Sequence, residues 1–112
     1  GLRTVAEVAV RTASWPAVFE VDELDPSTTL VKLDCQGLEI PLLREMHRLG
    51  LRPEGVLCEV GLRPMYDGAG DIGDLLAVVT DLGLVVADIR PGLRDGEGRL
   101  LEADVLALTA DR

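Results

Sequence analysis

Aromatic side chains are nearly missing from this sequence, with one Trp, one Tyr and one Phe among 112 residues. A core built without them is assembled from Leu, Val, Ile and Ala. Trp15 reads as a packing anchor for the N-terminal segment rather than as a stacking platform. Basic charge is also scarce: 11 Lys and Arg stand against 20 Asp and Glu, for a formal net charge of −9. Phosphate binding needs a concentrated basic surface, so nucleic acid is excluded as a partner and an anionic membrane surface is disfavoured. An acidic exterior that keeps the chain soluble is the plain reading of that charge. Cysteine is limited to Cys35 and Cys58, neither in a CxxC or Cys/His spacing, so no structural zinc site is expected and both read as plain thiols. The single histidine, His47, falls off the leucine face of a helix beside Arg48. It reads as a solvated residue, and one helical histidine supports no Ser/His/Asp or Cys/His arrangement. No run approaches the roughly 18 apolar residues of a membrane span, and no signal-peptide pattern is seen, so a cytoplasmic location is expected. Gly1 in place of Met is what trimming, or excision from something longer, would leave.

The apolar fraction of 47% and the charged fraction of 28% fit one globular domain. Residues 1–28 read as an edge strand and its connection, and residues 29–112 as a β-α-β-α-β-β core. Residues 4–11 alternate, with Val8 and Val10 on one side and Glu7, Ala9 and Arg11 on the other, as in a half-buried strand. Ser14 can cap a short helical turn with Pro16 inside it, and residues 22–28 form a polar connection.

Residues 29–39 (TLVKLDCQGLE) carry the main signal. The apolar run 30–33 ends abruptly in Asp34, passes through a turn with Gln36 and Gly37, and reaches Glu39 where a helix begins. An open α/β sheet presents polar chemistry in this way, at the C-terminal ends of buried strands. The helix places Leu42, Leu43, Met46 and Leu49 on one face, with Gly50 as C-terminal cap and Pro53 beyond it. Residues 56–60 read as a second buried parallel strand interrupted by Glu59, and residues 61–70 as a loop containing Tyr66. Asp71 caps a helix with Leu75, Leu76, Val79 and Leu82 inward. Residues 84–89 read as a third buried strand, 91–98 as a solvated turn of charges and glycines, and 104–108 as an antiparallel return. Parallel strands joined by right-handed crossovers, with helices on the faces of the sheet, are the economical arrangement. Strand 29–33 then lacks an outer neighbour, and the N-terminal strand or a further part of the domain is expected to cover it.

Asp34, Gln36 and Glu39 form the leading candidate site, where two carboxylates crowded in a partly desolvated crevice repel, raising the pKa of one, or share a cation. Asp34 is therefore a candidate general base or metal ligand and Gln36 a hydrogen-bonding partner for substrate, while Glu59, near the end of the next parallel strand, can point into the same crevice. The plainer alternatives are that Asp34 accepts backbone N–H bonds within its turn and that Glu39 stabilises a helix N-terminus. Gly37 suits a positive φ or a close approach of backbone to ligand.

The stretches VKLDCQGLEIPLLR, VLCEVGLRPMYDG and GRLLEADVLAL, in that order, resemble the C-terminal half of FkbM-type methyltransferases. That family has a KID-x-[QE]-G-x-E turn, a strand ending in Glu, a PLY-[ED]-G loop and a terminal GRLLQAD hairpin. The resemblance runs from about Val31 to Leu108. It implies a partial Rossmann-like class I methyltransferase sandwich, mostly parallel with a C-terminal antiparallel strand, and S-adenosylmethionine as cofactor. The implied activity is O-methylation of a hydroxyl on a small molecule or sugar, with Asp34 and Glu59 catalytic, Gln36, Glu39 and Tyr66 on the acceptor, and Asp34 and Gly37 against the cofactor. A divalent metal has no support from the residues. The family's Asp-x-Gly-Ala-Asn-x-Gly cofactor loop belongs upstream of the matched stretch, and Gly68, Gly70 and Gly73 lack the spacing to replace it. The partner implied is thus an N-terminal half-domain or another chain. The competing reading is a non-catalytic α/β remnant, or a pairing module that docks a partner through its sheet edge.

Overall fold

A computed structural model describes residues 25–34, 37–62 and 70–110. The expected N-terminal strand, Trp15, Cys35, Gln36 and Tyr66 lie outside the described residues. A short 3-10 turn, Pro26–Thr28, opens the described chain under the Asp25 cap, whose carboxylate accepts from the Ser27 N–H at 2.9 Å. Then come β1 (Leu30–Leu33), α1 (Glu39–Arg48), β2 (Gly55–Gly61), α2 (Ile72–Asp81), β3 (Leu84–Pro91) and β4 (Glu102–Thr109).

The helix ends are set by local chemistry. At the C-terminus of α1 the chain turns through Gly50 at φ 72°. Gly50 N–H donates to the His47 carbonyl and Leu51 N–H to the Met46 carbonyl, so two carbonyls that the helix leaves open are satisfied. Asp71 and Asp74 form a reciprocal capping box at the start of α2. The inward faces are Ile40, Leu43 and Met46 on α1 and Leu75, Val78 and Val79 on α2. Leu76, expected inward, is exposed, and Val78 takes its place. On α1, Leu42 and Leu49 are only half-buried.

The sheet order is β1-β2-β4-β3. β1 and β2 are parallel, and β4 runs antiparallel to both β2 and β3. The fold is thus α/β with a mixed four-stranded sheet and two helices. The antiparallel C-terminal strand was expected, but its insertion between β2 and β3 was not. As a consequence one strand pair is parallel and two are antiparallel among the described residues, which corrects the expected mostly parallel sheet, and β3 is displaced to the sheet margin. There most of it is exposed beyond Leu84, which corrects the expectation of a third buried strand. Val31, Leu33, Val56, Cys58, Val60, Val105 and Ala107 share one core with the inward faces of both helices. Both helices therefore lie on the same side of the sheet, in place of the expected helices on both faces. Among the described residues, no helix packs on the opposite side and no strand pairs with the outer edge of β1.

Candidate functional site

Side chains alternate across a strand, so every second residue of β1, β2 and β4 is turned away from the helices. The register arranges those residues in rows running across the strands. Leu30, Gly55, Leu108 and Val85 form the first row; Lys32, Leu57, Leu106 and Asp88 form the second. In the third, Glu59 stands opposite Asp104 and Asp104 opposite Arg90, with Asp34 following β1 beside them. Glu102 lies diagonally beyond Glu59, opposite Gly61. Successive rows are about 7 Å apart along the strands. The open face thus grades from apolar, at the N-terminal ends of β1 and β2, to acidic at their C-terminal ends.

The second and third rows line a groove of about 530 Å³ that includes Lys32, Asp34, Leu57, Glu59, Asp104 and Leu106. This is within the range of small-molecule sites. Asp88 and Arg90 reach it because β3 is bulged between Val86 and Asp88. Without the extra residue, Asp88 would share the helix side with Val86; the bulge re-aims it and Arg90 onto the groove.

Glu59 is the most perturbed carboxyl there. Its pKa is raised from the ordinary 4.5 to about 7, first by its hydrogen bond with the Glu102 carboxyl, then by partial burial, then by the charges of Glu102, Asp34 and Asp104. A hydrogen bond between two carboxyls requires one of them to hold a proton, which is why the pair resists full ionisation. Cys58 is a contrasting case. Burial, then the Glu39 and Asp104 charges, push its thiol up to about 12, leaving an inert core residue.

Of the residues singled out from the sequence, Asp34 and Glu59 are brought together in the groove. Gly37 has φ 101°, the conformation its type favours. Glu39 is only 7% exposed, and its carboxylate accepts the Gly37 N–H at 2.9 Å, so it secures the turn that leads into α1. Glu39 does not line the groove. Gln36 and Tyr66 lie outside the described residues. Sequence reasoning missed Lys32, Asp88, Arg90, Glu102 and Asp104. The Glu102-Ala103-Asp104-Val105 alternation signals a half-buried strand with two carboxylates on one face, but which strand they face depends on the insertion of β4.

Among the described residues, no three His, Cys, Asp or Glu side chains are arranged to hold a metal ion, and no helix is long and apolar enough to cross a membrane. Compared with protein-family models, with curated proteins and with solved structures, the chain shows no match.

Proposed function

We propose that this chain is the acceptor-side half of an FkbM-like, S-adenosylmethionine-dependent O-methyltransferase in the Rossmann-like class, acting on a hydroxyl of a small molecule or sugar. The observation that carries the reading is the convergence of Asp34, at the C-terminal end of β1, and Glu59, on the adjacent parallel strand, upon one groove. Ligands of open α/β sheets bind at that end of the strands.

The carboxylates of this groove suit a cofactor bearing cationic sulfonium and ammonium groups, whereas the described residues contain no glycine-rich turn following a strand that could bring backbone N–H groups against it. The cofactor grip is therefore assigned mainly to residues other than those described. When bound, the cofactor supplies an electrophilic methyl group. This chain's part is to hold the acceptor hydroxyl, with a carboxylate at Asp34 accepting its proton within roughly 3 Å. Glu59, with a pKa of about 7, is poised to exchange protons near neutrality.

In the complete domain, Asp34→Asn is expected to lower methyl transfer by about 10²-fold. Unchanged turnover removes Asp34 from the mechanism. The non-catalytic pairing module remains the second reading, favoured by one observation: Leu30, on the outermost strand, is 60% exposed.

A further inference from the structure

The open face of the sheet combines two properties that together select an occupant. Its apolar part is uncovered: Leu30 is 60% exposed, Val85 50% and Leu57 36%. Leu30 and Leu108 meet over Gly55, since a Cβ at that glycine would stand 2.7 Å and 2.6 Å from their methyl carbons. This makes the apolar row continuous from β1 to β4. The second property is charge. Arg90 pairs with Asp88 at 3.3 Å, so each neutralises the other. Beside them, Glu59, Glu102 and Asp104 stand against Lys32.

We propose that this face docks a basic amphipathic helix from a partner protein, with its apolar stripe on the Leu30–Leu108–Val85 and Leu57–Leu106 rows and its Lys or Arg flank on the carboxylates. Helices dock on apolar surfaces through side chains spaced at i, i+3, i+4 and i+7, and such a helix carries its charges on the flank. A second copy of this chain is the wrong occupant. It would bring a like acidic row onto this one, and like-charge juxtaposition across an interface is strongly unfavourable. Nucleic acid and anionic lipid are rejected by the same charge. The proposal goes beyond the methyltransferase reading, and the helix would lie over the groove that reading gives to the acceptor, so the two occupants compete for it. Turnover of Asp34→Asn and docking are therefore scored separately.

The test uses the 112-residue chain and three fluorescent Leu/Lys or Leu/Glu peptides of about 18 residues, long enough to form a helix. One is a Leu/Lys peptide with leucines on one helical face, one a scrambled Leu/Lys peptide of equal composition, and one the Leu/Glu counterpart of the first. Anisotropy is read at about 0.15 M salt, where long-range charge attraction is largely screened. The amphipathic Leu/Lys peptide is expected to bind about 10-fold more tightly than the scrambled one, and the Leu/Glu peptide not at all. Leu57→Lys, at an exposed site, is expected to weaken binding by about 10-fold, and Glu102→Lys to weaken it as well. Amide shifts in an NMR titration should fall on the β1, β2 and β4 residues that line the open face and on Val85 of β3. No binding overturns the proposal. So does equal binding of the scrambled peptide, which reveals bulk charge alone, or binding that both variants leave unchanged. Should Leu57→Lys fail to fold, Glu102→Lys and the shift map decide.

Discussion

Replacing Glu59 by Gln tests the carboxyl pair most directly. A glutamine has nearly the same size and can donate to the Glu102 carboxylate at every pH, whereas Glu59 can do so only while protonated. In the folded chain Glu59 has a pKa of about 7 against the ordinary 4.5. A raised carboxyl pKa means that the folded state holds the proton more tightly than the unfolded chain. Its stabilisation is complete below pH 4.5 and is lost as pH rises through 7. At 1.36 kcal/mol per pH unit the upper limit is about 3 kcal/mol. Glu59 is only partly buried, so solvent screening reduces this to about 1 kcal/mol. Between pH 5 and pH 8 the wild-type chain should therefore lose about 1 kcal/mol more than Glu59→Gln, or about 4 °C in Tm. Urea unfolding followed by circular dichroism at pH 5, 6.5 and 8 measures the difference, in which titrating groups remote from the pair cancel. Parallel stability curves for the two chains would refute the proton-sharing pair.

Other outcomes follow from the packing. Gly55→Ala places a Cβ 2.6 Å from Leu108, 2.7 Å from Leu30 and 2.9 Å from the Ala107 carbonyl oxygen. The side chains can rotate away but the carbonyl cannot, so a loss of about 1–3 kcal/mol is expected in urea unfolding, and a loss below about 0.5 contradicts it. Leu43→Ala removes a fully buried side chain at the centre of the α1 face and should lower stability by about 2–5 kcal/mol, judged by the same measurement. In a Cys35→Ser background, Cys58 should resist iodoacetamide at pH 8 until the chain unfolds, because its thiol is buried and titrates at about 12. Alkylation of the native chain within minutes would show that the core opens. Titration calorimetry of the 112-residue chain with S-adenosylmethionine should detect no tight binding, and micromolar affinity would move the cofactor grip into this chain.

Much of the local structure is legible from residue order alone. The apolar runs at 30–33 and 56–60, the Asp71 cap, and the helix stop at Gly50 each report a nearest-neighbour constraint. Such constraints act within a few residues: a strand needs alternating or continuous apolar side chains, and a helix end needs a donor, an acceptor or a glycine. Asp34 and Glu59 could be paired in advance because two consecutive parallel strands must present their C-terminal ends together. Glu39 shows the limit of that reasoning. Its position before Ile40 and Pro41 fits a site residue and a helix-start residue equally well. Its burial and its bond from Gly37 N–H place it in the turn that leads into α1, away from the groove lining.

What only the tertiary structure decided is the neighbourhood of Glu59. Composition and periodicity identify 104–108 as a strand, but they carry no information on which strands it separates. Pairing partners are chosen by the whole sheet, through long-range contacts that no local window contains. Inserting β4 between β2 and β3 brings Glu102 and Asp104 to Glu59, exposes β3, and lets one bulge turn Asp88 and Arg90 onto the groove. The same placement leaves the side of the sheet away from the helices graded from leucine to carboxylate. The sequence by itself therefore determined the elements and one pair of carboxylates. The tertiary structure decided that the pair belongs to a larger acidic row on an open face, because a side chain's charge environment depends on strands distant in the chain.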